Sequence, residues 1–196
     1  MNYIAHIHLA YVTNTSLVGN FLGDFVKGQQ YKELPLAVAE GVLLHRKIDQ
    51  FTDTHPDVIY LKNAFPSDIR RMAGVAIDVH FDHLLLGHWG DYCDIDAESL
   101  LQQFYRELND IELPNNRRFQ AVKNSLLEHQ WLIEYQDAKT CLNAFYSIER
   151  RLKNRIIFAE AAWRHISATK DLHIGAFGNF YQELTQYCAA STATAN

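Results

Sequence analysis

The stretch LLHRKID at 43–49 sets His45 and Asp49 four residues apart, and DVHFDH at 78–83 does the same for Asp78 and Asp82. Positions i and i+4 share one face of an α-helix, and two like charges there repel by roughly 0.2–0.5 kcal/mol even when exposed. At about 100° per residue, Val38, Val42, His45 and Asp49 form one stripe. Val75, Asp78, Asp82, Leu85 and Trp89 form another, and Asp24 aligns with Leu17 and Phe21. Each of these acids therefore faces where apolar residues face. An unpaired carboxylate in such surroundings costs several kcal/mol, and a divalent cation shared between helices offsets that cost. Asp and His donors without cysteine suit Mn²⁺ or Mg²⁺, or Fe²⁺ or Zn²⁺ where nitrogen donors are richer. A cation held this way lowers the pKa of a bound water and neutralises phosphoryl oxygens as charge builds on them.

The N-terminal IAHIHLA adds His6 and His8. They share a face in an extended chain but point about 200° apart on a helix, so at most one of them is a helical ligand. His6 is the candidate and His8 a core or supporting histidine; simple packing of both stays open. His80 and His83 lie off the aspartate stripe and are assigned to the surface or to supporting a ligand. His88, His129, His165 and His173 show no spacing pattern. The competing account of the acids is ion pairing, with Arg46, Arg70 or Arg71 neutralising Asp49, Asp78 or Asp82. Three separate sets of inward-facing acids and imidazoles favour metal or catalysis over that account.

These residues need helices to position them. Four prolines and nine glycines punctuate 196 residues, nothing repeats, and apolar residues recur at three- and four-residue intervals over long windows. The expected helices are a short one over 16–24, one from Pro35 through LAVAEGVLLHRKIDQFTD, and one opening at Pro56. Others are expected over 67–89, through DAESLLQQFYRELNDI, and over about 116–136, 138–167 and 173–188. VAIDVHF alternates briefly like a strand, but it continues into HLLLGHW without a turn signal. The expectation is an all-α, single-domain multi-helix array over 1–188, with a frayed tail at 189–196.

A hydrophobic content of 48% suffices for one core, and a net charge of −5 argues against nucleic acid or an anionic membrane surface as partner. Cys93, Cys141 and Cys188 are odd in number and far apart, which suggests neither disulfides nor a thiolate zinc site. The N-terminus is a poor signal peptide and no run approaches the roughly 20 apolar residues of a membrane span. A cytoplasmic location is expected.

MNYIAHIHLA at the N-terminus, GNFLGDFVKG at 19–28, LLHRKIDQFTDTHP at 43–56 and DVHFDHLL at 78–85 resemble the characteristic segments of the bacterial acyl carrier protein phosphodiesterase family. The likeness continues more loosely through EHQWLIEY at 128–135. It implies an all-helical fold distantly like that of the HD phosphohydrolases and a divalent metal, preferably Mn²⁺. It also implies hydrolysis of 4′-phosphopantetheine from the serine of holo acyl carrier protein. The superfamily's adjacent His-Asp doublet is absent; His45 and Asp49 stand a helical turn apart instead. The metal ligands expected on this basis are His6, Asp24, His45 and Asp78. Asp49 is expected to orient His45 or accept a proton, Asp82 to act beside the reaction or as a further ligand, and Arg46 to reach a phosphate.

An acidic carrier protein calls for a basic docking face. Arg70 and Arg71, one to two turns before Asp78, are the favoured cluster, and ERRLKNR at 149–155 is the second, partly paired through Glu149 and Lys153. Two other functions share these features: an HD-like phosphohydrolase acting on a nucleotide, and a non-enzymatic helical binding protein with buried ion pairs.

Overall fold

YIAHIHLAYV has no charged residue, and a helix apolar all round is stable only when neighbours enclose it. In the computed structural model, which describes residues 2–193 and side chains through 191, this segment is α1 (Tyr3–Val12), buried from Ile4 to Ala10. The helices that enclose it are α2 (Leu17–Leu22), α3 (Leu36–Thr54), α5 (Ala73–Gly87), α6 (Ala97–Asp110) and α10 (Lys170–Ala193). α4 (Pro56–Ala64) packs on α3, α5 and α10, α7 (Arg117–His129) on α6, and α8 (Ala138–Arg151) on α5 and α9 (Ala159–Ala168). The fold is all-α, with no strand among the described residues. No described helix is long and apolar enough to cross a membrane.

Local chemistry sets many of the helix starts. Ser16 caps α2 by accepting from the Gly19 amide at 3.0 Å, Asp96 caps α6 through Ser99 at 2.8 Å, and Asn116 caps α7 through Phe119 at 3.0 Å. Each such bond contributes about 1 kcal/mol. Pro56 takes the first turn of α4, where its missing N–H costs nothing.

α1 is capped from a distance. Its first amides are buried and need an acceptor, and Asp82 on α5 supplies one: its two carboxylate oxygens accept from Ile4 N at 3.0 Å and Ala5 N at 3.2 Å. Burial pushes the Asp82 carboxyl up to about 7, against the two amides that favour its charged form.

Several boundaries differ from those expected. The 67–89 segment enters through a 3-10 turn (Arg70–Met72), so α5 begins only at Ala73. The 116–136 segment ends as α-helix at His129, because Gln130 adopts a left-handed φ of 48° and a 3-10 turn (Trp131–Gln136) follows. The 138–167 segment breaks after Arg151, where Lys153 and Asn154 are left-handed. The buried Glu149 carboxylate there accepts from Phe158 N and Ala159 N at 2.5 and 2.6 Å, capping α9 rather than pairing with Lys153. The last helix runs to Ala193, into the stretch expected to fray, and residues 194–196 lie outside the described residues.

Candidate functional site

The site is built where α2 meets α3. A Cβ on Gly19 would stand 2.5 Å from the Val38 carbonyl oxygen, and one on Gly41 would stand 2.7 Å from the Asn20 amide nitrogen. Glycine at both positions lets the two backbones touch. At Gly23 a Cβ would overlap the His45 imidazole itself, so the missing side chain is the space that the ring occupies.

His6 on α1 and His45 on α3 lie ring on ring, with centroids 4.0 Å apart and planes 20° from parallel. Asp49 spans both: Oδ1 is 3.3 Å from His6 Nε2, and Oδ2 is 3.1 Å from His45 Nε2. Donor atoms of the three residues lie within 4.8 Å of one another, the one such grouping of metal-type ligands among the described residues. Both imidazoles are buried while the Asp49 side chain is 46% exposed, so the cluster opens to solvent on the carboxylate side.

His6 Nδ1 lies 2.8 Å from Asn20 Oδ1. With that carbonyl as acceptor, Nδ1 carries the proton and Nε2 turns a lone pair toward Asp49. Nε2 is buried and has no hydrogen-bond donor. Burial, and then the neighbouring His45, push the His6 imidazole down to about 4, so it is neutral at pH 7. Burial pushes the Asp49 carboxyl up, but the hydrogen bond from His45 leads the effects that together outweigh this and hold it well below the usual carboxylate range. A neutral nitrogen lone pair thus meets a carboxylate oxygen at 3.3 Å. This donor set, two imidazoles and a carboxylate open to solvent, fits a divalent cation.

The other expected site residues stand elsewhere. Asp24 and Asp78 line a cavity of about 660 Å³ that begins at Asn2 and Tyr3, one turn before His6. Asp82 is fully buried on the α1 amides. Arg46 donates to the Val26 carbonyl at 3.2 Å and lies over the Tyr31 ring, which ties the 26–31 segment to α3. Arg70 donates to the Phe65 carbonyl at 3.1 Å. His8 points away from the cluster: Nε2–H donates to the Tyr92 carbonyl at 3.1 Å and Nδ1 accepts from the Tyr181 hydroxyl at 2.8 Å. His80, expected at the surface or beside a ligand, is buried 3.2 Å from His173 across the α5–α10 contact.

Sequence reasoning missed Asn20 and Arg118, and took Arg151 only as part of a docking cluster at 149–155. Asn20 lies within GNFLGD, and only its burial distinguishes it from a surface amide. Arg118 donates to the Asp24 carbonyl at 3.1 Å and stacks over Phe25, and it lines the cavity together with Arg151. The family model described as acyl carrier protein phosphodiesterase matches residues 1–184.

The chain belongs to the acyl carrier protein phosphodiesterase family.

Two relatives named acyl carrier protein phosphodiesterase, from Escherichia coli strain K12 / DH10B and from Escherichia coli O139:H28, are each 34% identical over 188 residues. The alignment covers 94% of this chain and 95% of each relative. No solved structure matches the chain. Family membership fixes the class of reaction to be asked of the cluster, and the His6–Asp49–His45 geometry fixes where on the chain to ask it.

Proposed function

We propose that this protein hydrolyses the phosphodiester that joins 4′-phosphopantetheine to the serine of holo acyl carrier protein, with a divalent cation held by His6, His45 and Asp49. The observation that carries the reading is the His6 Nε2–Asp49 Oδ1 meeting at 3.3 Å, its tautomer set by Asn20, in a chain of this family. Water adds to phosphorus, the phosphorus–oxygen bond to serine breaks, and the proton passes to the serine oxygen, giving apo carrier protein and 4′-phosphopantetheine.

The bound cation supplies Lewis acidity, lowering the pKa of water and neutralising phosphoryl charge. The chain's own groups do the rest. Asn20 keeps the His6 proton on Nδ1, and Gly23 leaves room for the His45 ring. Asp24 and Asp78, on the cavity wall, would orient water and substrate there. Mn²⁺ is the first candidate metal, with Mg²⁺, Fe²⁺ and Zn²⁺ as alternatives, because one carboxylate and two imidazoles suit the middle of that range. A distant kinship with HD phosphohydrolases rests on the all-α class and a histidine–aspartate cluster, with His45 and Asp49 one turn apart in place of an adjacent doublet.

Arg70 and Arg71 are exposed on the turn leading into α5 and form the first docking candidate for the acidic carrier. A carrier substrate and three free cysteines are in keeping with a cytoplasmic site of action.

The test is to incubate purified protein and Mn²⁺ with holo carrier protein and follow the loss of the phosphopantetheine mass. Expected are cleavage by the wild type and none by D49N, whose bound metal also falls. Cleavage of nucleotides and not of carrier protein would overturn the substrate assignment.

A further inference from the structure

The cavity beside the cluster is far larger than a cation and a phosphate need. Its volume is about 660 Å³, and four helices and a 3-10 turn wall it. α8 contributes Thr140, Asn143, Ala144, Ser147, Ile148 and Arg151, a single face at three- and four-residue steps. At 1.5 Å per residue that face is about 16 Å long. α7 faces it with Arg118, Ala121, Val122 and Ser125, and α5 with Val75, Asp78 and Val79.

The two ends differ. At one, Arg118 donates to the Asp24 carbonyl, next to the Gly23 on which His45 packs, and Arg151 ends the α8 face. At the other stand Thr140 and Glu134, joined by the Thr140 hydroxyl donating to the Glu134 carbonyl at 2.8 Å, with no basic residue beside them. Between the ends, small hydroxyl and amide side chains alternate with Val, Ala and Ile.

We infer that this cavity is the arm-binding groove: Arg118 and Arg151 bind the phosphate end, and the α8 face receives the extended pantetheine chain. This inference rests on the proposed function, since it takes that substrate as given. The chemistry matches along the length. A dianionic or monoanionic phosphate suits two guanidiniums. The arm's two amides need donors and acceptors, which Asn143, Ser147 and Thr140 carry, and its gem-dimethyl carbon needs apolar wall. A folded carrier protein is too large to enter, and its serine is bonded directly to the phosphate, so the carrier sits against the phosphate end while the pantetheine alone runs along the α8 face. Arg151 is thereby a binding residue, exposed and 11 positions along α8 from Thr140.

The experiment measures binding of free 4′-phosphopantetheine by calorimetry and cleavage kinetics on holo carrier protein, for wild type, A144W, A121W and R151Q. The tryptophans fill the groove from opposite helices, so a folding failure in one leaves the other; circular dichroism melts and bound metal check both. Expected for the tryptophan variants is a KM raised about tenfold or more with kcat little changed and metal retained. For R151Q we expect about tenfold weaker phosphopantetheine binding, with pantetheine itself bound as by wild type. Wild-type KM and binding in both tryptophan variants would overturn the groove while leaving the proposed function standing. Phosphopantetheine binding that the variants weaken, without cleavage of carrier protein by the wild type, would overturn the proposed function and leave the groove.

Discussion

The His45 imidazole lies against the Cα of Gly23, in the space that any side chain there would fill. α2 therefore sets the position of a proposed ligand on α3 without touching a metal. G23A is expected to displace the ring and to lower carrier-protein cleavage by about a hundredfold, the scale for a misplacement of an ångström or so at a reacting centre. The fold should lose only about 1–3 kcal/mol, as overpacking does. Metal content by mass spectrometry, beside urea unfolding, checks this; a G23A protein with full metal and activity would remove His45 from the site.

Asn20 acts on His6 in the same indirect way. Its carbonyl accepts the Nδ1 proton at 2.8 Å, which leaves Nε2 as the lone-pair nitrogen beside Asp49. N20L is expected to weaken metal binding by about 10–100-fold, the usual cost of losing a group that orients a ligand. Excess Mn²⁺ should restore much of the activity, whereas it should not restore H6A. Equal response of the two variants to added metal would contradict this role.

Asp82 is expected to matter for the fold before the chemistry. Its oxygens hold the Ile4 and Ala5 amides at the start of a helix that every central element touches. D82A leaves those buried donors unpaired and should cost about 1–3 kcal/mol for each of them. D82N keeps one good acceptor and should lose less. Unfolding in urea at neutral pH ranks the three proteins; D82A as stable as wild type would show that α1 does not depend on this cap.

The contrast between Asp82 and its neighbours shows how far sequence periodicity reaches. His45 and Asp49 were legible because the i, i+4 relation is internal to one helix, and the structure closes it at 3.1 Å. Asp78 and Asp82 share the same spacing yet part company. One lines the cavity while the other is sealed against α1, because a stripe gives direction and says nothing of which neighbour lies at each height. The break after Arg151 was illegible for a related reason. No proline or glycine marks it, and its cause is a Glu149 carboxylate that captures the amides of Phe158 and Ala159. Arg118 and Arg151 likewise meet only through the packing of α7 and α8 around one cavity. The all-α class needed none of this, since it follows from composition and period.

Stability should fall steeply in mild acid. Burial pushes His8 and His173 down to about 4 and His80 to about 3, with His173 adding to the effect on His80 and His165 to that on His173. Each stays neutral in the native state while the unfolded chain takes up its proton near 6.5. The stability they contribute is therefore complete above about pH 6.5 and is lost as pH falls toward 4. Asp82 works in the opposite sense, because its raised value of about 7 favours the native state at low pH and costs stability as pH rises through the window. With His6, also pushed down to about 4, four histidines against one carboxyl leave a net loss of about 2–4 kcal/mol per pH unit between 6.5 and 4. His80 and His173 meet Nδ1 to Nδ1 at 3.2 Å, a contact that needs one donor and one acceptor and that protonating both rings destroys. H173Q removes one of the titrating groups and should flatten the pH dependence of the unfolding free energy, measured in urea, by about 1 kcal/mol per pH unit. A slope equal to that of the wild type would mean that the α5–α10 histidine contact opens before it is titrated.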